Sequence, residues 1–321
     1  LARLLRHVIS SCLFSAACAL PLAAAAQNNA IKLVVGAPPG GTTDTVARGI
    51  AQHMSQDLKR TVLVENRPGA GGNIAADYVA KSKADGNTLL VTFTSFSINA
   101  SLYPDLPFDT EKDFTPISML ANVPSVLVTR KDFPAQNMPE FIQEVKAHPG
   151  KYTMGIGALG SSLHMAGERL KMMTGLDILN VPYKGTAQAI TDLLGGQVDM
   201  MFASSLNALP HMETKALKPL GVTSPEMLPQ FPGVPPIGDT VKGFESNAWF
   251  AMFGPAGLTP EIVTELNRAA RTAVDTPEFR KLLEADAATA VSSSPEELRD
   301  FVHKDIARYA EIVKFTGATA Y

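Results

Sequence analysis

The chain has 321 residues, 45% of them apolar and 18% charged, with a formal net charge of −3; that length suits about two domains. The balance excludes a disordered chain, and 24 glycines and 23 prolines that follow no period exclude a collagen-like or low-complexity one. With 28 basic against 31 acidic residues, no positive excess is available for nucleic acid or an anionic surface. At the N-terminal end, Arg3, Arg6 and His7 precede an apolar run from Val8 to Leu20, then Pro21 and Ala23 to Ala26. This order reads as a secretory signal peptide cleaved after Ala26. Its apolar core is shorter than the roughly 20 residues that span a bilayer. Cys12 and Cys18 both fall inside it, so the mature chain is expected to carry no disulfide, thiolate nucleophile or cysteine metal site. A lipoprotein reading through Cys18 is disfavoured, because Ser15 stands where a lipobox carries Leu.

The next segments alternate. Ile31–Val35, Thr61–Glu65 and Thr88–Phe93 read as strands, separated by helical spacing over Thr45–Leu58 and Ile74–Ala84. A second such series follows. Strands are expected at Ser125–Thr129, Tyr152–Ile156, Ile178–Val181, Val198–Phe202 and Lys218–Val222, with helices over Met138–His148, Ser162–Thr174 and Thr186–Leu194. A proline-rich connection, Pro225–Pro236, leads to an aromatic strand, Ser246–Gly254. Two helix starts then stand out: Thr259-Pro260-Glu261, and the capping box that Ser294 and Glu297 form. The pattern predicts an α/β protein with largely parallel sheets covered by helices. The helices after residue 255 are expected to return to the first lobe. That gives a signal peptide (1–26), one lobe from 27–126 with 250–321, and a second from 127–249. Two strands, near Val126–Thr129 and Trp249–Phe253, would join the lobes and leave a cleft between them.

Loops at the carboxyl ends of strands are the candidate site. Gly40-Gly41-Thr42-Thr43-Asp44 joins a strand to a helix, and its N–H groups, helix start and hydroxyls suit an anion. Gly155-Ile-Gly157-Ala-Leu-Gly160 is a literal G-x-G-x-x-G. No acid follows at the end of the next strand, so it does not read as a dinucleotide site. With Ser161 and Ser162 it makes a second anion-ready helix start. Thr94-Ser95-Phe96-Ser97, Pro182-Tyr183-Lys184 and Ala203-Ser204-Ser205 occupy similar positions. His164 and Glu168 lie four apart, yet no matching second pair suggests a metal. No hydrolase, P-loop or zincin motif is present. A serine hydrolase would need Ser161, Ser204 or Ser205 beside a histidine, and nothing in the sequence marks such a pair.

Longer strings carry a resemblance: Pro39-Gly40-Gly41 with Asp44, Val64-Glu65-Asn66-Arg67-Pro68-Gly69-Ala70-Gly71-Gly72-Asn73-Ile74, Ser97-Ile98-Asn99, Leu102-Tyr103-Pro104 and Asp113-Phe114. His164-Met165-Ala166-Gly167-Glu168, Val181-Pro182-Tyr183-Lys184-Gly185, Leu193-Leu194-Gly195-Gly196-Gln197-Val198-Asp199, and Trp249-Phe250 with Gly254-Pro255-Ala256-Gly257 extend it. The chain resembles the Bug-type extracytoplasmic solute receptors of the tripartite tricarboxylate transporter system. The resemblance implies a type II periplasmic binding-protein fold, two lobes closing on a small carboxylate, and membrane permease subunits or a sensor as partners. It implies no catalysis; no cofactor is expected, and the chain is expected to act as a monomer. Carried over to this chain, Gly41, Thr42, Thr43, Thr94, Ser95 and Phe96 would line one wall of the cleft. Gly160, Ser161, Ser162, His164, Tyr183, Ala203 and Ser204 would line the other. Two departures bear on the ligand. Ala203 stands where the family often has Asp, which points to a purely anionic ligand over an amino acid. Phe96 stands where His is frequent, which would add an apolar wall suited to an alkyl or aromatic acid. An exported hydrolase acting on a carboxylate ester remains the alternative from another class.

Overall fold

The computed structural model describes residues 30–318, and the signal-peptide reading, with Cys12 and Cys18, lies outside them. In the first sheet, β1 (Ile31–Val35), β2 (Val62–Asn66) and β3 (Thr88–Phe93) run parallel. They are linked by α1 (Thr42–Leu58) and α2 (Asn73–Ala80), and α3 (Ser95–Leu102) follows. β4 (Phe114–Val123) completes this part of the lobe. The chain then builds a second sheet from β5 (Ser125–Arg130), β6 (Thr153–Ile156), β7 (Leu179–Pro182), β8 (Met200–Ser204) and β9 (Leu217–Val222). Its helices are α4 (Met138–Ala147), α5 (Ser162–Thr174), α6 (Thr186–Leu194), α7 (Ser205–Glu213) and the short α8 (Ile237–Thr240). The return brings β10 (Ala248–Pro255), α9 (Pro260–Val274), α10 (Pro277–Leu283), β11 (Thr289–Ala290) and α11 (Pro295–Thr316). The sheet orders are β11-β4-β10-β3-β1-β2 and β7-β6-β8-β5-β9.

Both faces of each sheet are covered, which explains the near-continuous apolar strands. Side chains alternate between two cores. Leu33, Val35, Leu89 and Val91 face α1 and α9, whereas Val34 and Leu90 face α2 and α11. In the second sheet Leu127, Met200 and Phe202 share one core, and Val126, Val128, Met201 and Ala203 share the other.

The sheets are mixed rather than largely parallel. β10 runs antiparallel to β3 and β4, and β5 antiparallel to β8 and β9. The reason is topological. Parallel strands end at the edge facing the other lobe, so a strand arriving from that lobe enters at this edge and runs the opposite way. The sheets exchange the chain at Pro124, between β4 and β5, and again over the segment between β9 and β10. The two passages are bonded to each other. Thr223, fully buried, donates its N–H to the Ser125 carbonyl, accepts the Ser125 N–H on Oγ1 at 2.8 Å, and donates that hydroxyl to Asn247 at 3.1 Å. The Ser246 N–H donates to the Thr223 carbonyl.

α11 begins with the expected capping box: Ser294 Oγ accepts the Glu297 N–H, and Glu297 Oε2 accepts the Ser294 N–H. α9 and α11 pack on the first sheet's β4, and α11 also packs on α5 of the second lobe. There Ile98 and Leu102 of α3, Met165 of α5, and Tyr309, Ile312 and Val313 of α11 form one apolar cluster.

Candidate functional site

Strand register decides which loops meet. Ser125 pairs with Ser204 and Val126 with Val222, while Ala248 pairs with Val123 and Phe250 with Phe93. The carboxyl ends of β3 and β8 therefore lie beside the two passages between lobes. β1 runs parallel to β3 and its last residue, Val35, pairs with Val91 near the end of β3, and β6 runs parallel to β8. The loops after β1, β3, β6 and β8 thus share the edge between the lobes.

On the first lobe, Gly41 is the extended N-cap of α1 and no side chain caps that helix. The helix start and its dipole are left to favour an anion. Gly41 is exposed, Thr42 half-buried and Thr43 buried. The preceding loop is locked by Asp44, which is 3% exposed. Asp44 accepts the Gly40 N–H at 2.9 Å, Arg48 Nε at 2.8 Å and Asn66 Nδ2 at 2.9 Å, and Asn66 also donates to the Ala37 carbonyl. Burial opposes ionisation of this carboxyl, but the bonds from Arg48, Gly40 and Asn66 outweigh it and hold its pKa below the usual range. Gly36 has no side chain because its Cα faces the Gly72 backbone, where a Cβ would stand 2.6 Å from Gly72 Cα. Thr42 Oγ1 donates to Asp286 Oδ2 at 2.7 Å, a contact the sequence reading missed.

The segment after β3, read as a loop, is the start of α3. Thr94 is 2% exposed and accepts the Trp249 N–H on Oγ1 at 2.9 Å. Ser95 is buried, and Ser97 is fully buried. Phe96 is a correction. Its ring packs among Phe108, Phe114 and Phe253, with centroids 5.0–6.3 Å away, so it belongs to the core and forms no wall of the cleft.

On the second lobe the glycine loop is satisfied from within. Ser161 caps α5, accepting the His164 N–H at 3.2 Å and donating to the Ala158 carbonyl at 2.8 Å. His164 is 5% exposed. Its Nδ1 accepts the Gly160 N–H at 3.1 Å, which places the ring proton on Nε2, 3.5 Å from Glu168. Lys171 at 2.7 Å and Asn180 at 2.6 Å complete the shell of Glu168. Burial would raise the Glu168 pKa, but the bonds from His164, Lys171 and Asn180 bring it down to about 2. His164 thus positions the loop, and neither ring nitrogen is free for a ligand. Gly160 is buried with φ +72°, and Ser162 is half-buried. Tyr183 is half-buried and donates its hydroxyl to Asp192 at 2.8 Å. Burial and that carboxylate push its pKa up to about 12. Ala203 is fully buried in a core cluster and is the second correction to the expected wall.

Ser204 is the N-cap position of α7, whose start has no side-chain cap; its hydroxyl accepts Asn207 Nδ2 at 2.9 Å. Ser205 beside it is fully buried, and its hydroxyl has no partner. Of the two helix starts that follow β6 and β8, that of α5 is capped and that of α7 is not. Asp286 joins the two sides: the turn Glu284–Asp286 packs on α7, and Ala287 sits in the apolar cluster with Val126, Ala203 and Ala208.

No described helix is long and apolar enough to cross a membrane. The model of the tripartite tricarboxylate transporter family receptor matches residues 46–318. Protein BugT of Bordetella pertussis is 36% identical over 291 residues, covering 90% of this chain and 89% of that protein. Among solved structures, Rpa4515 of R. palustris with adipate is 34% identical with a TM-score of 0.75, covering 90% of this chain and 97% of that one. MatC of Rhodopseudomonas palustris with bound malate is 32% identical with a TM-score of 0.71, covering 88% and 98%. A Polaromonas TctC solute-binding protein without ligand is 27% identical, with a TM-score of 0.80 and coverage of 89% and 98%. With the family model matched along most of its length, and relatives above 30% identity across both lobes, this chain belongs to the tripartite tricarboxylate transporter receptor family, whose members are periplasmic solute-binding proteins.

Proposed function

We propose that this protein captures a small carboxylate between its lobes and delivers it, by lobe closure, to the membrane subunits of a tripartite tricarboxylate-type transporter. Its N-terminal segment serves as the export signal. The observation that carries this reading is the edge where the uncapped starts of α1 and α7, with the hydroxyls of Thr42, Ser204 and Ser205, flank the passages between lobes. Helix starts and hydroxyls offer donors to an anion without an Arg or Lys among these residues. Thr43, Thr94 and Ser95 support this wall from beneath. Adipate and malate in two relatives support a di-acid as cargo.

The geometry disfavours the hydrolase alternative. Ser161 meets the His164 backbone rather than its ring, and both ring nitrogens face other partners. A base must reach the hydroxyl whose proton it takes. The test is a thermal-shift and calorimetric panel of mono-, di- and tricarboxylates and aromatic acids, with mass spectrometry of the recovered ligand. One acid should stabilise the protein by about 2.7 kcal/mol at a hundredfold excess over Kd and return unchanged. Ser204→Ala should weaken its binding about tenfold, the loss of one hydrogen bond to a charged group. No shift across the panel, or consumption of the ligand, would overturn the receptor reading.

A further inference from the structure

The edge between the lobes already holds a carboxylate of the protein's own. Asp286 ends the turn Glu284–Asp286, between α10 and β11, and is 9% exposed. Its Oδ2 takes the Thr42 hydroxyl at 2.7 Å, across 244 positions of sequence. No Arg, Lys or His forms an ion pair with it among the described residues. A nearly buried carboxylate without a cation is costly, so its position beside the uncapped start of α1 calls for an explanation. The backbone presents it there: Ala287, the next residue, sits at φ +50°, a left-handed conformation uncommon for a residue with a Cβ. The far side of the turn rests on α7 and on the apolar cluster of the second lobe.

We propose that Asp286 is a built-in stand-in for the ligand's carboxylate. It occupies the Thr42 hydroxyl while the cleft is empty, and an anionic ligand must displace it. This rests on the carboxylate reading above and deepens it. A hydroxyl has one proton to donate, so Thr42 serves either Asp286 or the ligand. Two ionised carboxylates cannot share this edge without mutual repulsion. Displacement also moves the turn that touches α7, so occupancy at the first lobe is felt at the second. The chain thereby holds an acidic group at the cleft even though Ala203 supplies none.

The test compares wild type with Asp286→Asn, which keeps the acceptor for Thr42 and removes the charge. Calorimetric titrations with malate and adipate should show the variant binding at least about tenfold more tightly, as expected from removing a like charge at close range. Asp286→Glu, which keeps the charge, should stay near wild type. Thermal unfolding of the unliganded proteins confirms folding, and Asp286→Ala serves the same comparison if the Asn variant folds poorly. Unchanged affinity in the charge-free variants overturns the stand-in role. Weaker affinity overturns it too, since Asp286 would then be a ligand contact. If wild type and variants all fail to bind any carboxylate, the receptor reading falls and takes this proposal with it. If wild type binds and the variant gains nothing, only the proposal falls.

Discussion

Glu168 illustrates how a charged pair with ligand-like spacing turns out to be internal scaffolding. Its carboxylate is 2% exposed and is surrounded by His164, Lys171 and Asn180. Glu168→Gln should destabilise the protein by about 1–3 kcal/mol, because it takes the charged acceptor away from the donors of His164, Lys171 and Asn180; urea unfolding measures the loss. The pH dependence has a definite sign. The folded pKa, about 2, lies below the ordinary 4.5. The stabilisation is therefore complete above about pH 4.5 and is lost as pH falls toward 2. Wild type should lose stability through that window more steeply than the Gln variant does. The sequence showed His164 and Glu168 as neighbours on one helix face. Asn180 arrives from β7, and no spacing along α5 announces it.

At the scale of elements, cap chemistry was legible. Ser294 and Glu297 close α11 as a reciprocal pair, and Thr259-Pro260 opens α9. Thr94–Ser97, expected as a loop, leads into α3, whose stretch Ser95–Leu102 lacks a one-sided apolar stripe because nearly all of it is buried, between β3 and α11. The loop after β6 has φ +72° at Gly160, and a Cβ there would lie 2.5 Å from Leu102 Cδ2 on α3. Gly160→Ala should therefore cost about 1–2 kcal/mol from the left-handed conformation, with a lowered melting temperature as the readout. The cost should persist in a Leu102→Ala background, where the clash is gone and only the backbone strain remains.

For the whole molecule, closure depends on the two passages and the bonds between them. Thr223 links Ser125, Asn247 and Ser246 at that junction. If the ligand draws the lobes together, small-angle X-ray scattering should show a smaller radius of gyration with saturating carboxylate than without. Thr223→Val keeps the shape but leaves the Ser125 N–H and Asn247 without that hydroxyl, and should destabilise the protein by about 1–3 kcal/mol. An unchanged radius of gyration on ligand binding would count against lobe closure. Two lobes were expected from two βα series, and the two sheets carry them. The mixed strand direction was not expected, because direction follows from which edge a strand enters, a property of the chain's route between lobes.

What the sequence determined by itself is what local physics controls. Apolar runs and helical spacing located most elements, glycine and capping residues marked their ends, and long motif strings indicated the family. Tertiary structure alone decided which side chains reach the cleft. Phe96, at the start of α3, and Ala203, near the end of β8, fall where a ligand wall was expected, yet side-chain direction sends both into cores. Asp286 lies 244 residues from Thr42 and meets it at 2.7 Å. The physical reason is that a site between lobes is made by packing elements remote in sequence. No period or spacing along one element encodes the partner that packing supplies from another.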